Sequence, residues 1–193
     1  VAILADGEAP VEVLRGLPGD PEDDHSRYLE ADVRGVRVAC IYLPNGNPQP
    51  GPKFDYKLAW MARLRERMAA LAAQEVPAVV IGDFNVIPND DDVWSPSAMA
   101  GDALMQPASR DAYARLMADG WTDALRLHNP RGGVWTYWDY QAGAWQKDHG
   151  FRIDHALLSP ELADRLVACG VDKAHRGREK ASDHAPVWIE LRD

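Results

Sequence analysis

Val79-Val80-Ile81-Gly82-Asp83-Phe84-Asn85 decides how the rest of this chain is read. Three successive β-branched residues predict a buried strand. The residues that follow predict that this strand delivers an Asp and an Asn to a sheet edge. Residues two apart on an extended backbone point the same way, so Asp83 and Asn85 are expected side by side. Gly82 leaves room for close backbone approach. A plain turn capped by Asp and Asn is the rival reading. It is weakened because Phe84 and Val86-Ile87 continue the apolar pattern.

Two distant segments share this character. Ser182-Asp183-His184-Ala185-Pro186 precedes a strand-like run, Val187-Trp188-Ile189, and Arg152-Ile153-Asp154-His155 opens another. Asp183 and His184 are neighbours and should face opposite sides, so Asp154 is the better partner for His184. Such a pair fixes the imidazole tautomer and favours its charged form. Alternation puts His155 on the face away from Asp154, where packing explains it. Asp83 is then free to orient or deprotonate a water, with Asp183 beside it and Asn85 donating to a phosphate oxygen. Carboxylates, an Asn and a His at strand ends suit metal-assisted phosphodiester hydrolysis. An oxygen-rich set of this kind fits Mg2+, with Mn2+ as a second option, better than zinc. In Trp135-Thr136-Tyr137-Trp138-Asp139-Tyr140, Trp135 reads as core. Tyr137 and Trp138, with Phe151, could instead wall a pocket for an extruded sugar.

Further strands are predicted over 28–33, 36–43, 76–81, 134–138, 151–158 and 186–191, with Arg34-Gly35 as a tight hairpin. Phe54, Leu58, Met61, Leu64, Met68 and Leu71 predict a helix over 53–74, with Lys, Arg and Glu on its other face. A second helix is expected over 110–119 with Ser109 as N-cap. A third should follow Ser159-Pro160, with Leu162, Leu166 and Val167 inward and Gly170 as its stop. Long loops at 44–52 and 88–107 suit the border of a site. The whole predicts an α/β layered sandwich.

The chain has 193 residues, of which 46% are hydrophobic, and this fits one domain over 1–193. A net charge of −9 argues against indiscriminate nucleic-acid binding, though not against a polyanionic substrate held through a metal. Arg176, Arg178 and Lys180 are candidate phosphate contacts. Two cysteines, Cys40 and Cys169, fit neither a zinc pattern nor a disulfide scaffold, which points to a reducing, cytoplasmic compartment. No apolar stretch is long enough to span a membrane.

These motifs, with Gly16-Leu17-Pro18-Gly19-Asp20, Tyr28-Leu29-Glu30-Ala31 and Tyr42-Leu43-Pro44-Asn45-Gly46, resemble in order the exonuclease III family of abasic-site endonucleases. That family, best matched by its bacterial branch, lies within the DNase I-like endonuclease/exonuclease/phosphatase superfamily. The resemblance implies a four-layered α/β sandwich and Mg2+-dependent cleavage at abasic sites. It also implies 3′→5′ exonuclease activity on double-stranded DNA, in base-excision repair. A monomer, near the nucleoid in a bacterium and with no membrane partner, is expected. By position, Asp83 would handle the water and the metal, Asn85 the phosphate and metal, and Asp183 the metal. Asp154 would orient His184 at the scissile phosphate. Tyr42, which by itself reads as a strand aromatic, matches the family tyrosine that reaches the phosphate. Tyr137, Trp138, Phe151 and Ile153 match the abasic pocket.

The family also opens with an Asn-bearing strand and a metal-binding Glu. This chain begins at Val1, downstream of both, so an upstream part is expected to be missing; Glu8 and Glu12 lie outside the pattern. Two alternatives follow: a same-fold phosphatase or phospholipid phosphodiesterase, and a catalytically inactive fragment.

Overall fold

The structure, a computed structural model, describes residues 1–192. Its strands are β1 (Val11–Arg15), β2 (Tyr28–Val33), β3 (Val36–Tyr42), β4 (Ala78–Asp83), β5 (Thr122–Asp123), β6 (Asp154–Leu158), β7 (Leu166–Val171) and β8 (Val187–Leu191). Helices are α1 (Pro52–Ala72), α2 (Pro96–Met99), α3 (Pro107–Ala118), α4 (Ala124–His128), α5 (Ala144–Lys147), α6 (Pro160–Ala163) and α7 (Lys173–Arg176). Six strands form one sheet in the order β1-β2-β3-β4-β6-β5, and β7 pairs with β8 in a second.

The run before Gly82 is β4, near the centre of the large sheet. It is parallel to β3 and antiparallel to β6. One face of this sheet carries α1 and α3. Trp60, Leu64, Met68 and Leu71 of α1 join Ile41, Val80 and Leu157 there in a single apolar core. Full burial of each such side chain stabilises the fold by roughly 1.5–3 kcal/mol. The other face carries the second sheet, where Val79, Ala156 and Leu158 meet Ile189 and Leu191. The outer side of β7–β8 leaves Val167 and Trp188 half exposed.

The β2–β3 hairpin turns through Arg34 (φ 49°) and Gly35 (φ 77°), with Val33 opposite Val36. Two successive left-handed residues match the twist of the strands they join. Gly82 is required for a different reason. Its φ is +143°, and a Cβ there would lie 2.1 Å from the Ile41 carbonyl oxygen of the neighbouring strand.

Five expectations are corrected. Segment 134–138 is not a regular strand. Tyr137 forms isolated bridges to Phe151 and His184, while Thr136 Oγ1 accepts from the backbone N–H of Ile153 (3.0 Å) and Asp154 (3.1 Å). A side-chain oxygen therefore stands where a strand carbonyl would. The helix after Ser159-Pro160 ends at Ala163, because Leu166–Val171 pairs with β8. Gly170 stops nothing; it faces Trp188, whose indole would lie 2.8 Å from a Cβ there. Ser109 is no N-cap, since α3 begins at Pro107 and the buried Ser109 hydroxyl donates to the Ala103 carbonyl (2.8 Å). Lys57, placed by pattern among the polar residues of α1, is fully buried.

Candidate active site

Tyr42, Asp83 and Asp154 lie on one rung of the large sheet, because Tyr42 registers with Asp83 and Asp83 with Asp154. Tyr42 and Asp83 end parallel strands, and Asp154 begins the antiparallel one. One edge of the sheet therefore presents all three. Segment 134–138 adds the rest: Trp138 N–H donates to the Asp183 carbonyl (2.9 Å), and Ala185 N–H donates to the Thr136 carbonyl (2.8 Å). These bonds hold His184 beside β6, where its Nδ1 lies 2.8 Å from Asp154 Oδ2. The predicted His184–Asp154 pair is thus formed.

Asn85 does stand beside Asp83, but a turn puts it there rather than an extended strand. Its backbone is left-handed (φ 47°), and its N–H donates to Asp83 Oδ1 (2.8 Å). Its Nδ2 donates to Asp83 Oδ2 (3.0 Å) and to the Leu43 carbonyl (2.9 Å). The Asx turn that looked like the rival reading is the device that brings the two side chains together. Asn45 Nδ2 completes the arrangement by donating to Asn85 Oδ1 (2.9 Å).

These groups line a cleft of about 800 Å3, whose wall includes Tyr42, Asp83, Asn85, Tyr137, Asp183 and His184. Phe151, Ile153, Leu104 and Trp94 give it an apolar side. The Trp94 ring stacks on His149 with centroids 3.7 Å apart. Tyr42 is 47% exposed with Arg27 over its ring, so its hydroxyl is not sealed in core. Trp138 is not brought to the cleft. It is fully buried and its Nε1 donates to Asp148 Oδ1 (2.8 Å). Arg176 is likewise spent, donating to the Trp138 carbonyl from a buried position, so it is no free phosphate contact. Arg178 lines an adjoining cavity that holds Asp154 and shares His184 with the cleft.

The site's charges shift its titrations. Burial, then the Asp154 charge, pushes the Asp83 carboxyl up to about 7, against the Asn85 N–H, His184 and Lys57. For His184, burial opposes the charged form, but the Asp154 hydrogen bond and the charges of Asp154, Asp83 and Asp183 outweigh it and raise it to about 8. Burial drives Lys57 down to about 7 although Asp102 and Asp83 favour its charge. Because the folded pKa of His184 is raised, its contribution to stability is complete below about pH 6.5 and is lost as pH rises through 8. In metal-free protein, Asp154→Asn should remove most of that contribution, since burial stays while the counter-charge goes. An NMR titration of His184 should then show a fall of at least about one unit. An unmoved His184 would separate the two residues.

Asn45 and Lys57 were not singled out from the sequence. Asn45 lies in the Tyr42–Gly46 motif, and Lys57 sits three after Phe54 and four before Met61, on the apolar stripe. Both signals were available. His155 is fully buried away from the cleft, its Nε2 3.0 Å from the Val86 carbonyl.

A sandwich of two sheets with carboxylates, an amide and a His–Asp pair at one edge defines a class of phosphoester-cleaving proteins. The match to the endonuclease/exonuclease/phosphatase family over residues 6–184 agrees, and the chain belongs to that family. It is similar to exodeoxyribonuclease III of Haemophilus influenzae, 32% identical over 204 residues, covering 100% of this chain and 76% of the relative. Among solved structures it is similar to a 3′ phosphatase from Neisseria bound to product DNA hairpin (37% identity, TM-score 0.92, 95% of this chain and 72% of that one). An AP endonuclease from Archaeoglobus fulgidus superposes at TM-score 0.89 with 34% identity, over 95% of this chain and 72% of that one.

Divalent-metal dependence is a general property of this family. The residues gathered here suit such an ion. Asp83, Asn85 and Asp183 offer oxygen donors on one cleft, and a dication there would favour the charged form of Asp83 that burial, then Asp154, disfavours. Among the described residues no group of three or more His, Cys, Asp and Glu is spaced to hold a metal alone. Waters and substrate oxygens would complete a shell of the kind Mg2+ prefers. No helix among the described residues is long and apolar enough to cross a membrane.

Proposed function

We propose that this protein is a Mg2+-dependent nuclease that hydrolyses phosphodiester bonds of duplex DNA at abasic sites and at 3′ ends, in base-excision repair. The observation that carries the reading is the convergence of Tyr42, Asp83, Asn85, Asp183 and His184 on one cleft with an apolar side, with Asp154 behind it, beside Asp83 on the sheet and hydrogen-bonded to His184. Relatives named as an exodeoxyribonuclease, a 3′ phosphatase bound to DNA and an AP endonuclease support the substrate class.

In this reading Asp83 orients the attacking water and accepts its proton. His184, charged through Asp154, and the Tyr42 hydroxyl donate to the non-bridging phosphate oxygens. Asn85 fixes the direction of Asp83. Asp83, Asn85 and Asp183 would hold the metal, which supplies charge stabilisation at the phosphoryl and leaving oxygens. Tyr137, Phe151 and Ile153 receive the extruded, base-free sugar, whose small apolar face leaves no base edge to be paired. The core shared by both sheets supports one catalytic domain over 1–193. Free cysteines at Cys40 and Cys169 are in keeping with a cytoplasmic location.

The test is incubation with duplex DNA carrying one abasic site, with Mg2+ or with EDTA, beside a lipid-headgroup and inositol phosphate panel. Nicking at the lesion only with Mg2+ is expected. Hydrolysis confined to the headgroup phosphates would overturn the reading.

A further inference from the structure

Lys57 is fully buried, and among the described residues its Nζ pairs with no carboxylate. Its Nζ donates to three backbone carbonyls: Asn85 (2.6 Å), Asn45 (3.1 Å) and Ala103 (3.4 Å). These belong to three separate segments, one after β3, one after β4 and one before α3. Each adds a residue to the cleft wall: Asn45, Asn85 and Leu104. The lysine reaches them by passing under Gly46, where a Cβ would lie 2.7 Å from Lys57 Cδ at a φ of +92°.

This arrangement is costly. Taking an ammonium out of water costs several kcal/mol after relaxation. An unbranched apolar side chain would fill the same space without desolvating a charge. What it would lack is a single nitrogen donating toward several carbonyls at once, with three N–H when charged, the number of carbonyls present. One of those carbonyls is that of Asn85, whose left-handed backbone makes the turn onto Asp83.

We propose that Lys57 is a positioning residue of the cleft: from the helix layer it ties three loops together and holds the Asn85 turn that aims Asp83. It touches neither substrate nor the reacting atoms. Only the kinetic arm of its test rests on the nuclease reading.

The experiment compares the full chain with Lys57→Met and Lys57→Gln by hydrogen exchange and by kinetics. In Lys57→Met, amides of 43–47, 83–87 and 101–105 should exchange at least about tenfold faster, while 60–71 within α1 keep their protection. Lys57→Gln, which keeps a donor, should fall between. Turnover of abasic duplex should drop about 10²-fold in Lys57→Met, as for a small misplacement of a catalytic group. KM should stay within about threefold. Unchanged loop exchange, loosening of α1 instead of the loops, or global unfolding of both variants would each overturn the assignment, the last by making Lys57 a residue of general stability. If the parent chain cleaves no DNA, the nuclease reading fails while the exchange data still judge Lys57.

Discussion

Replacing Asp83 by Asn should lower kcat on abasic duplex DNA by about 10²–10⁴-fold, the range for losing a positioned general base. An amide cannot take the proton of an attacking water. The variant should nevertheless fold. One Asn oxygen still accepts from the Asn85 N–H, as Asp83 Oδ1 does at 2.8 Å. The new amide then faces Asn85 Nδ2, donor against donor, which costs about 1 kcal/mol. Loss of the repulsion between Asp83 and Asp154 offsets it. The midpoint of thermal unfolding should therefore move by no more than about 4 °C. Steady-state kinetics with a melting curve checks both halves. Activity within tenfold of the parent would remove Asp83 from its role, and a collapsed melting curve would reassign it to folding.

Arg152→Met should cost about 3–5 kcal/mol of stability, as expected when one member of a buried ionic cluster is removed. Arg152 Nε donates to Asp92 Oδ1 (2.7 Å), and its Nη1 donates to Asp123 Oδ2 (2.7 Å) and to His155 Nδ1 (2.9 Å). All four side chains are buried. Burial first, then the Arg152 charge, presses His155 down to about 4, so it stays neutral, accepting from Arg152 and donating through Nε2 to Val86. Asp92 and Asp123 titrate below the ordinary carboxylate range because Arg152 outweighs their burial. Their stabilising effect is present above the unfolded value of about 3.9 and fades as pH falls through the folded one. Without Arg152 the buried Asp123 loses its cationic partner and costs stability as pH rises, while Asp92 keeps its ion pair with Arg126. Urea unfolding should therefore show a gap from the parent that is wide at pH 7 and narrows toward pH 4. A gap independent of pH would assign the loss to packing instead.

The strands that carry chemistry were the easiest to read. Val79-Val80-Ile81 has one reading as a buried strand, and its glycine, acid and amide sit where the chain must leave the sheet. The His184–Asp154 pair was also legible, because alternation excluded both Asp183 and His155 as partners. Lys57 was misread because charge outweighs position in a periodicity argument, although its spacing placed it on the apolar stripe. The misread helix after Pro160 has a similar origin. Leu162 and Leu166 are four apart by coincidence, and only β8, more than fifteen residues downstream, turns Leu166–Val171 into a strand. β1 escaped notice because it is a five-residue edge strand, in which Val11-Glu12-Val13 alternates too briefly to stand out. Trp138 was assigned to the cleft by its neighbours, yet alternation with Tyr137 turns it into the interior.

Neighbouring strands are held about 4.8 Å apart by their backbone ladders, whatever side chains they bear. With Tyr42, Asp83 and Asp154 on one rung, the sheet serves as a ruler, and the graduations are peptide groups that mutation cannot move. Selection could exchange the reagents mounted on this scale, tuning acidity or substrate preference, without re-measuring the gaps between them.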